Sequence, residues 1–111
     1  MTGNNSKIRV TLKGEGKPRT YKALLDTGNN LKEGIAISEK THSDLGAAFT
    51  KLGGTVKSAG KADLKVKGVS TPIELSFKDT VYMVKPIVIV GLRDDVNIGR
   101  ELMNSSTQFV R

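Results

Sequence analysis

The chain has 111 residues, 37% of them hydrophobic, and carries 18 Lys and Arg against 11 Asp and Glu, a formal charge of +7. This length and apolar content suit one compact domain. With no Cys and a single His, disulfides, thiolate metal sites, cysteine nucleophiles and His-rich metal sites are excluded. No apolar run approaches the ~20 residues that span a bilayer, and the polar first residues lack the apolar stretch of a secretory signal. We therefore expect a soluble, intracellular domain whose chemistry uses hydroxyls, carboxylates or backbone.

Apolar residues alternate with polar ones in short runs, which predicts an all-β chain. Residues 7–13 and 20–25 are predicted to form two strands joined by a turn over 14–18, where Gly and Pro supply the turn geometry. Further strands are predicted at residues 35–37, 64–67, 73–78, 81–90 and 107–110. The run 81–90 is nearly continuous in apolar residues and is expected to be buried on both faces.

Two short helical segments interrupt this pattern. Ser38 is predicted to cap a helical or turn segment that runs through Phe49, and Asp95 to cap a short helix near residues 99–104. Glycines at 53, 54 and 60 bracket a predicted hairpin. The sequence predicts a leader over residues 1–6 and one domain over 7–111, with no repeat or linker.

A carboxylate stands at the end of an apolar strand in Leu24-Leu25-Asp26-Thr27-Gly28. An ionisable side chain at the edge of a core is costly unless it is hydrogen-bonded or protonated. On these residues alone, Asp26 reads as the start of an ordinary turn.

The context of this motif resembles the retropepsin-like aspartic proteases of retroviruses and LTR retrotransposons. An apolar pair precedes Asp-Thr-Gly after two strands joined by a Gly-rich turn. A second element, Val96-Asn97-Ile98-Gly99-Arg100-Glu101-Leu102-Met103, is similar to the Gly-Arg helix of that family. Between them, residues 57–61 are similar to a flap tip. Order, spacing and length agree over most of residues 7–110.

The resemblance implies a retropepsin-like fold with a flap hairpin and one short C-terminal helix, and an aspartic endopeptidase that processes a retroelement polyprotein. Because one chain carries one Asp-Thr-Gly, it would hold half a site and act as a homodimer on extended peptides, with no cofactor and no metal. The catalytic residues would be Asp26, Thr27 and Gly28. Those at the flap and substrate would be Val56, Lys57, Ser58, Ala59, Gly60, Lys61, Asn30 and Ile98. Those that stabilise the dimer would be Thr27, Arg100 and Phe109, the last within a C-terminal strand that joins an intersubunit sheet.

Two positions depart from the family pattern. Asn30 stands where retroviral members often have an Asp that pairs with the helix Arg, so Arg100 would lack a charged partner, although Asn can still accept a hydrogen bond. Asn97 is polar where the family favours an apolar residue. Both departures are compatible with a divergent retroelement enzyme.

Two functions other than proteolysis are compatible with parts of the sequence. Residues 51–67 contain five Lys and one Asp, which suits phosphate contacts, but the absence of a recognisable nucleic-acid-binding motif and the scarcity of aromatic residues favour a solvated strand face. A protease-derived domain that only dimerises or binds peptides stays open. A Ser-His-Asp triad would need His42, for which a surface or capping role is expected, and no Gly-x-Ser-x-Gly elbow occurs.

Overall fold

A computed structural model of the chain describes residues 6–57 and 63–105. The predicted leader up to residue 5, the flap residues Ser58, Ala59, Gly60 and Lys61, and the C-terminal strand with Phe109 lie outside these ranges. Ser6, which the sequence assigned to the leader, is the first residue of a strand. None of the helices in the described ranges has the length and apolar character needed to traverse a membrane.

The described part of the chain is built from short strands and two short helices. The strands are β1 (Ser6–Lys13), β2 (Arg19–Leu25), β3 (Ile35–Ser38), β4 (Phe49–Lys51), β5 (Thr55–Lys57), β6 (Asp63–Ser70), β7 (Ile73–Phe77), β8 (Thr80–Val84), β9 (Ile87–Ile89) and β10 (Val96–Ile98). The helices are α1 (Glu39–Leu45) and α2 (Arg100–Asn104). This architecture confirms the predicted all-β class.

The strand order is β4-β6-β9-β3-β10-β2-β1-β7-β8, with β5 paired to β6. At the centre, β10 runs parallel to β2 on one side and antiparallel to β3 on the other. The main core is formed by apolar side chains of β1, β2, β3, β7, β8, β9 and β10, with Leu45 of α1 and Leu102 of α2. A smaller cluster is formed by residues of β3, β6 and β9, namely Ala36, Val66, Ile87 and Ile89. The centre of the fold is thus the junction of β2, β10 and β3.

Local chemistry explains several elements, of which the sequence predicted the cap at Ser38. The side chain of Ser38 accepts a hydrogen bond from the backbone N–H of Thr41 at 3.1 Å, and α1 ends at Gly46, whose φ of 66° is the left-handed conformation that glycine adopts without strain. A two-residue turn, Lys78-Asp79, joins β7 to β8 with φ of 48° and 64°, as in the type I′ turns of hairpins.

The predicted strand over residues 81–90 is wrong in two respects. It is divided into β8 and β9 before Pro86, which has no N–H to donate to a sheet. It is also not buried throughout, because β8 is an edge strand, and Val81 and Met83 are 59% and 64% exposed. Only β9, between β3 and β6, is buried on both faces.

Three local predictions are also corrected. Asp95 does not cap α2: Gly99 occupies that position without a side-chain cap, and the intervening strand β10 was not predicted. The segment predicted to be helical or turn through Phe49 instead ends its helix at Leu45 and enters β4 at Phe49. His42 is neither a surface nor a capping residue but is 6% exposed, because α1 turns this side chain toward Phe49.

Candidate active site

The fold places Asp26 immediately after β2, where β2 and its parallel neighbour β10 both end. The backbone N–H of Asp26 donates to the carbonyl of Ile98 at 2.8 Å, which extends the pairing of the two strands by one step. Parallel pairing brings the carboxyl ends of two strands to the same edge. The residues after β2 and those of β10 therefore meet at this edge, although about 70 positions separate them in the sequence.

Both carboxylate oxygens of Asp26 accept hydrogen bonds. The backbone N–H of Gly28 donates to Oδ1 at 2.9 Å, and the side-chain amide of Asn97 donates to Oδ2 at 3.0 Å. Asp26 is half-buried, whereas Thr27 and Gly28 are exposed. The carboxylate is thus held in one orientation next to an open surface.

Gly28 approaches this carboxylate closely. A Cβ atom on Gly28 would lie 3.3 Å from Oδ1 of Asp26, a tight contact that either group would have to relieve by moving. Glycine at this position lets the backbone come close to the carboxylate.

Asn29 joins the loop after β2 to the start of α2. Its side-chain amide donates to Oδ1 of Asn97 at 2.8 Å, and its Oδ1 accepts from the N–H of Leu31 at 2.9 Å. Its backbone carbonyl accepts from the N–H of Arg100 at 2.9 Å. Gly99 permits this packing, because a Cβ there would lie 2.6 Å from both Cγ and the carbonyl oxygen of Asn29.

The predicted flap strands are present. In the hairpin, β5 pairs with β6 in antiparallel register, with Val56 opposite Leu64. Val56 is partly buried and packs on the smaller apolar cluster. Of the other predicted flap residues, Lys57 is the last residue of β5; the tip lies outside the described residues.

Ile98 does not occupy the predicted substrate-facing position. Its side chain is fully buried in the main core, because β10 lies between two strands at the centre of the sheet. Asn30 and Arg100 are both exposed, and the hydrogen bond that links their two segments involves Asn29 and the backbone of Arg100. Arg100 takes part in no ion pair within residues 6–57 and 63–105.

Metal-binding groups and the basic segment add little to this site. Within residues 6–57 and 63–105, no cluster of three or more His, Cys, Asp or Glu side chains could hold a metal ion. Of the lysines in the basic segment, Lys67 makes an ion pair with Glu39 at 3.3 Å and lies over the ring of Phe49, which is the behaviour of a lysine on a strand face.

Two solved structures resemble the fold over nearly its whole length. The EIAV protease in complex with the inhibitor HBY-793 aligns with a TM-score of 0.66 and 16% sequence identity, covering 95% of this chain and 93% of that one. The retroviral protease-like domain of Ddi1 from Leishmania major aligns with a TM-score of 0.63 and 14% identity, covering 90% of this chain and 77% of that one. This chain has a retropepsin-like fold. No protein-family model matches the sequence, and a search of curated proteins returns no match.

Within the retropepsin-like fold, sequence reasoning found Asp26 but did not assign a role to the two asparagines beside it. Asn97 was treated only as a departure from an apolar pattern, and Asn29 was not singled out. The sequence does contain one signal for Asn97, because it is a polar residue between the apolar Val96 and Ile98. A polar side chain that is buried with such neighbours needs a hydrogen-bond partner. The identity of the partner depended on the parallel pairing of β2 with β10, which the sequence did not reveal.

Proposed function

We propose that the protein is an aspartic endopeptidase in which two copies of the chain each contribute one Asp26 to a single active site. The observation that carries this proposal is the position of Asp26 in a retropepsin-like fold: it follows β2 in an Asp-Thr-Gly motif, and both of its oxygens are held by donors. Sequence similarity alone is too low to carry a function.

The dimer follows from counting carboxylates. Hydrolysis of this type requires two carboxyl groups around one water molecule, and the chain has a single Asp-Thr-Gly. A second copy related by a twofold axis would supply the other carboxyl. The exposure of Thr27 and Gly28 next to Asp26 supports a contact at this surface. In the dimer, Thr27 would hydrogen-bond across the axis, while Arg100 and Phe109 would stabilise the assembly.

The chemistry proposed for the pair is general acid–base catalysis. Two carboxylates about 3 Å apart cannot both ionise at low cost, so they share one proton. The ionised Asp26 removes a proton from water, the water oxygen adds to the scissile carbonyl carbon, and the protonated Asp26 donates to the carbonyl oxygen. When the resulting tetrahedral adduct breaks down, its C–N bond cleaves and the leaving nitrogen takes the proton that the first Asp26 removed from water. The second Asp26 recovers a proton from a hydroxyl of the adduct as the carbonyl group forms, so the pair again holds one proton. We therefore expect the highest activity at mildly acidic pH. Activity that continues to rise above pH 8 would contradict a mechanism in which the two carboxyl groups share one proton.

The proposed substrate is an extended peptide held between the dyad and the flap. An extended chain can form strand-like hydrogen bonds with the β5–β6 hairpin, and closure of the hairpin would exclude water. We assign Asn30 and residues 56–61 to this peptide surface. We propose that the peptide belongs to a retroelement polyprotein, and that the enzyme acts inside the cell, within that polyprotein or a virus-like particle.

The test compares wild type with Asp26→Asn on an unstructured protein substrate, with and without a pepsin-class transition-state inhibitor. Asp79→Asn, which makes the same chemical change in an exposed turn, is the matched control. We expect cleavage by wild type and by Asp79→Asn, inhibition of both by the compound, and no cleavage by Asp26→Asn. Cleavage that persists in Asp26→Asn would refute the role of Asp26, and an inactive wild type that binds peptide would favour a binding module.

A further inference from the structure

We propose that Asn97 is a positioning residue that orients the Asp26 carboxylate and keeps Oδ2 as a hydrogen-bond acceptor, with Asn29 fixing Asn97 in turn. The inference rests on the proposed function and adds to it a reason for a polar residue in the most buried part of the sheet. Asn97 is 8% exposed and lies on β10 between two strands.

The direction of the hydrogen bonds is determined by a group that can only donate. The N–H of Leu31 has no acceptor function, so the atom of Asn29 that faces it at 2.9 Å must be Oδ1. The other end of that amide, Nδ2, then faces Asn97 and donates to its Oδ1 at 2.8 Å. Asn97 must consequently present Nδ2 to Asp26, at 3.0 Å from Oδ2.

In the last of these three consecutive hydrogen bonds, Asn97 donates to the Asp26 carboxylate. Since the Gly28 N–H already occupies Oδ1, each oxygen of Asp26 accepts from a fixed donor. A proton shared by the two Asp26 carboxyl groups therefore cannot lie on the lone pair of Oδ2 that accepts from Asn97. Bonds in series that point the same way also polarise one another. Donation to a carboxylate is stronger than donation to a neutral acceptor and favours the ionised form.

Two hypothetical replacements at position 97 show why the hydrogen bonds to Asp26 and Asn29 require an amide side chain. An aliphatic side chain at position 97 would suit the apolar neighbours of β10, yet it would leave Oδ2 of Asp26 without this donor and Nδ2 of Asn29 without an acceptor. An Asp at 97 would have almost the same shape but would present an acceptor to Oδ2. The two substitutions therefore separate packing from hydrogen-bond donation.

The kinetic test compares Asn97→Leu and Asn97→Asp with wild type, with Asn104→Asp, an exposed residue at the end of α2, as the control. Both Asn97 variants should lower kcat by about tenfold or more, the equivalent of one lost bond to a charged group, with a much smaller change in KM. A variant that is folded by circular dichroism and keeps the wild-type kcat would overturn the inference while the proposed function stands.

A second measurement does not depend on activity. In 1H–15N spectra, the side-chain amide of Asn97 should show one proton shifted downfield and slow to exchange with water. In Asp26→Leu, which removes the acceptor, that proton should move upfield and exchange faster. Unchanged amide signals in a folded Asp26→Leu chain would show that no such bond exists, whether or not the wild type cleaves peptides.

Discussion

Replacement of Gly99 by Ala should disrupt the junction between the Asp26 loop and α2. Gly99 is the N-cap of α2 and lies against Asn29, and an added Cβ would stand 2.6 Å from both Cγ and the carbonyl oxygen of that residue. Since heavy atoms in contact prefer about 3.5–4.0 Å, relief requires a shift of Asn29 of about 1 Å. The backbone of Asn29 cannot make this shift freely, because its carbonyl accepts from the N–H of Arg100 and its N–H donates to the carbonyl of Asp26.

The cost has two parts. Overpacking in a rigid site costs about 1–3 kcal/mol, and each weakened hydrogen bond of Asn29 adds about 1 kcal/mol. We therefore expect Gly99→Ala to lower the free energy of unfolding by about 3 kcal/mol. If the proposed function holds, the variant also loses activity, because Asn29 no longer fixes Asn97.

The assay is equilibrium urea denaturation at one fixed protein concentration, since the stability of a dimer depends on concentration. Gly16→Ala is the matched control: it makes the same change in the exposed turn between β1 and β2, where a Cβ would meet nothing within 4 Å. The control should change the free energy of unfolding by less than about 1 kcal/mol. If Gly99→Ala costs no more than Gly16→Ala, the reasoning about this junction is refuted.

Three further predictions concern other parts of the fold. Nε2 of His42 is buried and has no hydrogen-bond partner within residues 6–57 and 63–105, so His42→Leu should raise the free energy of unfolding by about 1 kcal/mol; a loss of stability in urea would contradict this. Replacing Lys78-Asp79 by Asn-Gly supplies residues that tolerate the positive φ of both positions and should raise Tm by a few degrees, whereas an unchanged or lower Tm in calorimetry would argue against the turn. The pKa of Tyr21 is raised to about 12, mainly because the side chain is partly buried and also because its hydroxyl donates a hydrogen bond to the carboxylate of Asp44. Because the unfolded chain releases that proton near pH 10, stability should fall as the pH rises from 10 to 12, and Tyr21→Phe should flatten this fall in urea titrations at each pH.

Much of the fold follows from local signals in the sequence. The alternation over residues 7–13 places Val10 and Leu12 in the core, and Ser38 marks the start of α1. These features depend on neighbours a few residues away, which a pattern can reveal. The apolar residues at 81–90 do not reveal which of them are buried, because burial of a strand on both faces depends on its place in the sheet, and β8 lies at an edge.

The candidate site also contains residues that a local motif reveals and residues that only the folded structure brings together. Asp26, Thr27 and Gly28 are contiguous and were found from the motif and its context. The contact of Asn97 with Asp26 spans 71 positions and depends on the register of β10 with β2, in which Asn97 is opposite Leu24. Ile98 was misplaced for a related reason: successive side chains on a strand point to opposite faces, so if Asn97 reaches the carboxylate, its neighbour points into the core.

The proposal that two chains form one active site is open to a stoichiometric measurement, in which the active protein is titrated with a tight-binding, pepsin-class transition-state inhibitor in a calorimeter. We expect an end point of one inhibitor molecule for every two chains, with loss of binding in Asp26→Asn and retention in Asp79→Asn. An end point of one inhibitor per chain, or full activity in a species that sediments as a monomer, would contradict the proposal.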